Sequence, residues 1–342
     1  MSNFNRVPDF NQMLKVLQRQ APDRDVLFEL FMNNDVYEWA IGGKLPKGRL
    51  NNTRAMAKAF AVLGYDYATS WGSGFNFASR PAASHGAQTI SLNCPPMISD
   101  RSSFDAYPWP CTSDHDYSSL KDIAPDLPGN MKLMVMGPGG MLENLIKLVG
   151  YDNMCYMLYD DEALLADIVE QIGQGLAAHY KIAAAYDSVG VLMVNDDWGF
   201  NTQTMLPPWA MRKYIFPWHK ELVRIAHAAG KPAILHSCGN YSQIIDDLYD
   251  MGFDARHSYE DNIQPVEQAY ELFMGGRPEK IAVLGGMDLD FLVRMPAWVV
   301  KERARAMLDR ARERGGYALG SGNSIPRFCP LEKYLAMISV VQ

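Results

Sequence analysis

His236 and Cys238 stand two residues apart in an apolar run, 232–238. Side chains two apart on a β-strand share a face. An imidazole and a thiolate therefore converge on one point, and both are good ligands for Zn²⁺, which is usually four-coordinate. Two ligands from one strand need others from elsewhere, and Cys329, Glu260, His257, Asp196 and Asp197 are the candidates. Asp196 and Asp197 are adjacent, so on a strand they point to opposite faces and only one enters a shared site, as base, ligand or substrate anchor. Asp288 follows Gly285-Gly286, where the backbone can approach a ligand closely. The run Gly320-Ser321-Gly322-Asn323 can present backbone N–H groups, but it lacks the lysine of a phosphate-binding loop. The bland alternatives are a hydrogen-bonded core histidine beside an inert cysteine, and loop-capping roles for the aspartates.

The elements that must position these groups follow from periodicity. Eight short, mostly apolar runs read as strands buried on both faces: 25–31, 65–71, 132–137, 189–196, 232–238, 253–259, 281–286 and 317–320. Helical patterns lie between most of them. Over 162–186, Leu165, Ile168, Ile172, Leu176 and Ile182 mark one face, with Asp160 or Asp161 as the cap. A second helix spans 208–229, bent at Pro217 and stopped by Gly230. A third spans 296–314, with Val300, Ala304, Met307 and Ala311 inward. This alternation implies parallel βαβ units. Eight units in 342 residues predict one (β/α)8 TIM barrel covering 1–342, with an open doubly wound sheet as the alternative.

The segment 72–131 breaks the alternation and reads as a long βα-loop insertion after the second strand, either a lid or a surface excursion. In a barrel, catalytic groups sit at the carboxyl ends of the strands. Those ends carry Asp196-Asp197-Trp198, His236-Ser237-Cys238, His257-Ser258-Tyr259-Glu260, Met287-Asp288 and Ser321-Gly322-Asn323. Asp196, Asp197 and Asp288 are the candidate catalytic groups. Trp198, His257, Glu260, Met287 and Asn323 are the candidate substrate contacts, and His236, Cys238 and Cys329 the candidate metal ligands. His85, His115, Cys94 and Cys111 share the insertion without C-x-x-C or H-x3-H spacing. His179, His219 and His227 fall on helices and read as structural or exposed.

Composition narrows the class. The five cysteines are scattered and odd in number, which argues against a disulfide framework and for a reducing cytoplasm. No signal-like amino terminus and no 18-residue apolar span predict a cytoplasmic protein that does not cross a membrane. The net charge of -7, with no basic run, argues against nucleic acid. No G-x-S-x-G elbow, Walker motif or G-x-G-x-x-G occurs.

Together the motifs resemble the uroporphyrinogen decarboxylase superfamily. The resemblance rests on Gly137-Pro138, Leu158-Tyr159-Asp160-Asp161, Asp196-Asp197-Trp198-Gly199, His236-Ser237-Cys238-Gly239-Asn240, Gly285-Gly286-Met287-Asp288 and Pro330-Leu331-Glu332. It implies a (β/α)8 barrel. One branch decarboxylates uroporphyrinogen without a cofactor and carries an arginine-rich segment near its amino terminus. Here that strand reads Val26-Leu27-Phe28-Glu29-Leu30-Phe31. The chain is more similar to the methylcobamide:coenzyme M methyltransferase branch, in which a His-x-Cys pair and a later cysteine hold zinc. The pair maps onto His236 and Cys238. Asn323 stands where the later cysteine belongs, and Cys329 lies six residues beyond it. The resemblance implies a zinc-assisted methyltransferase acting between a small methylated substrate or thiol and a corrinoid supplied by a partner protein, with pairing into a homodimer as a further expectation. A cofactor-free decarboxylase and a non-catalytic tetrapyrrole or corrinoid-protein binder are the alternatives.

Overall fold

A computed structural model describes residues 6–79, 92 and 95–341. Seven parallel strands form one sheet in which each pairs with its sequence neighbour: β1 Tyr67–Ser70, β2 Lys132–Met136, β3 Val189–Asn195, β4 Ala233–His236, β5 Ala255–His257, β6 Ala282–Leu284 and β7 Tyr317–Ala318. Their side chains are almost all buried, as strands covered by helices outside and filled by side chains inside must be. The architecture is the expected (β/α)8 TIM barrel.

The first expected strand, 25–31, is extended but not a full ladder member. It bridges β7 in parallel at Leu27 and Leu319, and the chain bridges again at Met32 and Ile325. Phe28 N–H donates to the Leu319 carbonyl at 2.8 Å, and Leu319 N–H to Val26. On its other side the hydroxyls of Tyr67 and Thr69 donate to the carbonyls of Glu29 and Leu30. Side-chain hydroxyls thus take acceptors that strand pairing with β1 would use, and the barrel closes through a side-chain seam.

The helices follow the expected faces. Glu162–Ala184 buries Leu165, Ile168, Ile172 and Leu176, and Asp161 caps it by accepting from Leu164 N–H. Ala297–Ala311 buries Val300, Ala304, Met307 and Ala311. The helix expected over 208–229 is instead three pieces: Pro208–Ala210, a π-helical turn Met211–Ile215, and Phe216–Ala228. Pro217 has no N–H to give to an i−4 carbonyl, and the wider turn immediately before it absorbs that loss.

The described part of 72–131 packs on the outside of the β2–β3 region. Phe75 stacks on His179, and the Tyr117 hydroxyl lies 2.8 Å from His179 Nδ1. Thr112 donates to the Gly175 carbonyl. His85 and Cys94 lie outside the described residues. No helix among the described residues is long and apolar enough to cross a membrane.

Candidate metal centre

Register brings the site together. Asn195 of β3, His236 of β4 and His257 of β5 are aligned across the sheet at its carboxyl end. Alternation then separates the two adjacent aspartates. Asp196 turns outward and is fully buried. It accepts from Leu142 and Glu143 N–H, the first turn of helix Met141–Val149, and from the Trp198 indole at 3.0 Å. His219 Nε2 lies 3.2 Å from the same carboxylate. Asp197 turns to the mouth.

Asp197, His236 and Cys238 are the one group of three possible metal ligands among the described residues, and their ligand atoms all lie within 4.8 Å of one another. His236 Nε2 is 3.7 Å from Cys238 Sγ and 3.8 Å from Asp197 Oδ1. Asp197 Oδ1 also accepts from Cys238 N–H at 2.8 Å, which fixes the carboxylate beside the pair. The loops after β3 and β4 cross tightly here. Gly239 has φ +84°, and a Cβ on it would lie 2.0 Å from the Gly199 carbonyl oxygen. Only glycine fits both the torsion and the crossing. Two donors point at the sulfur: Ser258 Oγ at 3.3 Å and Asn323 Nδ2 at 3.2 Å.

Burial sets the charge states. It lowers the His236 pKa to about 4 against the opposing pull of Asp197, so the ring is neutral at neutral pH. Burial, reinforced by Asp197, pushes the Cys238 thiol well above its usual range. Glu260 is raised by burial and by the charges of Asp288 and Asp197. Glu143 is pushed to about 8, chiefly by burial and then by Asp196 and Asp197. Its Oε2 accepts from Gly140 N–H and from Asn195 Nδ2.

The expected site residues divide. His236, Cys238 and Asp197 meet, Asn323 reaches the sulfur, and half-buried Glu260 shares their electrostatic environment. Asp196 and Trp198 instead build the wall, with the indole satisfied by the carboxylate and packed on Phe216 and His219. Asp288 is occupied as a cap: its oxygens accept from Phe291 and Asp261 N–H. Met287 is buried and its backbone bridges Ser321. His257 has no exposed surface; it stands behind His236, with Nδ1 to Nδ1 2.8 Å. Cys329 is buried with its Sγ toward the Pro330 carbonyl and is not in the ligand group, because the chain after β7 carries it to the start of helix Leu331–Ile338. Sequence reasoning missed Ser258, Asn195, Glu143, Glu29 and Arg256. Asn195 was readable, being two before Asp197 on the same strand face. The buried Arg256 guanidinium donates to the carbonyls of Ser258 and Ser237 and stacks on Tyr241 at 3.7 Å. Nothing in its local sequence announces that role.

A parallel α/β barrel with a nitrogen, sulfur and oxygen ligand group at the strands' carboxyl ends defines the class. Residues 117–342 match the family model of uroporphyrinogen decarboxylase (URO-D), and the chain belongs to that family. Among solved structures, a methyltransferase from Methanosarcina mazei is similar over 96% of both chains at 16% identity, with a TM-score of 0.67. The likeness extends the shared fold over the residues before 117. Dihydropteroate synthase from Xanthomonas albilineans follows at 14% identity and TM-score 0.28, covering 46% of this chain and 56% of its own. No curated protein matches in sequence.

Proposed function

We propose that this protein is a zinc-dependent methyltransferase that moves a methyl group between a small methylated substrate or thiol and a corrinoid carried by a partner protein. The observation that carries the reading is the Asp197–His236–Cys238 group. Its chemistry fits a catalytic zinc: one imidazole, one sulfur and one carboxylate oxygen are three protein donors, which leaves a fourth position for substrate. Zinc there would act as a Lewis acid, lowering the pKa of a substrate thiol or polarising the heteroatom that bears the methyl group.

The protein's own groups do the rest. His236 offers a neutral ring. Cys238 would release its proton to solvent on binding a cation, and the Ser258 and Asn323 donors are placed to hold the resulting negative charge. Asp197, fixed by the Cys238 N–H, supplies the third donor in place of a second cysteine. Half-buried Glu260 stands at the edge of this group and is available to hold a polar substrate atom. Trp198 and Asp196 close the outer wall and exclude water from behind.

The family name also admits decarboxylation of a porphyrinogen. The carboxylate of Asp197 speaks against a polyanionic substrate, since like charges repel in a partly buried site. Arg256 is already committed to backbone carbonyls. Metal analysis of purified protein tests the reading. The expected result is about one zinc per chain, lost in His236→Ala and in Cys238→Ala, together with methyl transfer to reduced cobalamin. Metal content unchanged by both substitutions would end the ligand assignment.

A further inference from the structure

Behind the ligand group a buried line of groups that the proposed chemistry does not itself use leads up to His236. It begins at Glu29 on the closing segment, passes through Ser321 after β7, and reaches His257 on β5 and then His236. All four are buried, three of them with no exposed surface. Ser321 Oγ donates to Glu29 Oε1 at 2.6 Å, and Ser321 N–H to Glu29 Oε2 at 3.3 Å. The Ser321 carbonyl accepts from His257 Nε2 at 3.1 Å and from Gly286 N–H at 2.9 Å. His257 Nδ1 then meets His236 Nδ1. Phe28 packs on the His257 ring at 5.0 Å. A Cβ on Gly285 would lie 2.2 Å from the Ser321 oxygen and 3.0 Å from His257 Nε2, so this corner is packed to its limit.

Hydrogen-bond direction along this line has one consistent solution. A carbonyl only accepts, so His257 Nε2 carries a hydrogen. A neutral His257 then has a lone pair at Nδ1, and the single hydrogen between the two Nδ1 atoms belongs to His236. With Nδ1 protonated, His236 keeps its lone pair at Nε2, the atom that faces Cys238 Sγ and Asp197 Oδ1. The reverse direction would place two N–H groups on His257 and thus a cation in a site without exposure, near Arg256.

We infer that Glu29 and His257 are positioning residues that lock His236 in the tautomer whose Nε2 is open to a metal. Glu29 holds Ser321 by its hydroxyl and its N–H so that the Ser321 carbonyl aims at His257, and His257 passes that constraint to His236. The barrel's closing seam thereby sets the ligand's orientation, across 292 residues of sequence between Glu29 and Ser321. Ligating histidines in general depend on such partners at the nitrogen that does not bind the metal.

The inference rests on the metal reading only for its purpose, so the experiment separates the two. The ¹⁵N shifts of His236 in the metal-free full chain report its tautomer directly, whether or not zinc ever binds. Wild type is expected to show a protonated Nδ1. His257→Phe fills the volume but removes the acceptor, and the His236 signals should move toward a mixture of tautomers. Zinc affinity, read by chelator competition, should fall about 10–100-fold. Cobalt-substituted protein should show altered d–d bands. Glu29→Ala should do the same to a smaller extent, and Glu29→Gln, which keeps a donor and an acceptor for Ser321, should restore the wild-type shifts. A wild-type His236 protonated at Nε2, or folded His257→Phe with unchanged His236 shifts, overturns the inference. A wild type with the expected tautomer and no zinc affinity would overturn the metal reading and leave the tautomer assignment standing.

Discussion

Asp196 and Asp197 are chemically identical neighbours that strand alternation sends to different tasks. Asp197→Asn keeps the shape and the backbone contact but removes the charge. Zinc affinity by chelator competition is expected to fall, with the thermal midpoint of the metal-free protein nearly unchanged. Asp196→Asn leaves a buried cap without its charge beside two helix N–H groups, the Trp198 indole and His219. It is expected to cost about 3 kcal/mol in denaturant unfolding, while folded protein retains its zinc affinity. Glu29 carries the pH prediction. Burial raises its pKa to about 8 from 4.5. The folded state therefore binds a proton that the unfolded chain releases between those values. The stability this group contributes is fully present below pH 4.5 and is lost as pH rises through 8. Glu29→Gln has no proton to lose. The loss in unfolding free energy between pH 5 and 8.5 should be smaller in that variant, by on the order of 4 kcal/mol. Parallel pH profiles for the two proteins would show that Glu29 is not held neutral by the fold.

At the scale of elements, the loops after β3 and β4 bring the ligands together only because they cross in contact. Gly239→Ala must place its Cβ against the Gly199 carbonyl, so at least one loop must shift. The expected outcome is a lowered unfolding midpoint and a lowered zinc affinity together. Gly252 is the control: it has a similar φ of +82°, but its Cβ would meet only Val223 at 3.7 Å. Gly252→Ala should cost about 1 kcal/mol of stability and leave zinc affinity alone. The same contrast between local and tertiary constraint explains what the sequence could show. The strands from β1 to β7 were legible as short apolar runs because both faces are buried, and the inward faces of helices Glu162–Ala184 and Ala297–Ala311 because one-sided burial imposes a period. So were the pairing of His236 with Cys238 and the rule that only one of Asp196 and Asp197 enters the site, both of which follow from the strand period of two; which aspartate it is was not. The incomplete pairing of 25–31 was not legible, since it depends on which hydroxyls of β1 reach it. Nor was the Glu29–Ser321–His257 line, which exists only once the barrel closes. Asp288 and Trp198 misled for a related reason: a strand-end position predicts nearness to the mouth, but not whether neighbouring N–H groups or a carboxylate have already claimed the side chain.

For the whole molecule, the distribution of exposed aromatic residues bears on what approaches the site. Large rings left in water are costly and cluster where something covers them. Trp39, Trp71, Tyr156, Tyr159, Trp209, Trp298 and Phe328 are all exposed; Trp71 directly follows β1, Trp209 and Trp298 lie in the first turn of helices that follow β3 and β6, and Phe328 precedes helix Leu331–Ile338. Tyr159 and Trp209 already meet edge to face with centroids 6.2 Å apart. By chain order Trp71, Trp209, Trp298 and Phe328 lie on the side of the barrel at the strands' carboxyl ends, the side that also carries Asp197, His236 and Cys238. A small methylated substrate needs only the pocket, whereas a corrinoid on another protein needs a broad surface around it. If the proposed partner docks here, Trp298→Ala and Phe328→Ala should weaken its binding, each by about 2 kcal/mol or roughly 30-fold in Kd. Zinc content and transfer to free cobalamin should stay at wild-type levels, because neither ring touches the ligand group. Titration of the partner by isothermal calorimetry reads the first quantity and a spectroscopic cobalamin assay the second. Equal losses in both would mean that the rim acts through the fold of the site. Unchanged partner affinity in the double variant would move the docking surface elsewhere and leave the metal chemistry to be judged on His236 and Cys238 alone.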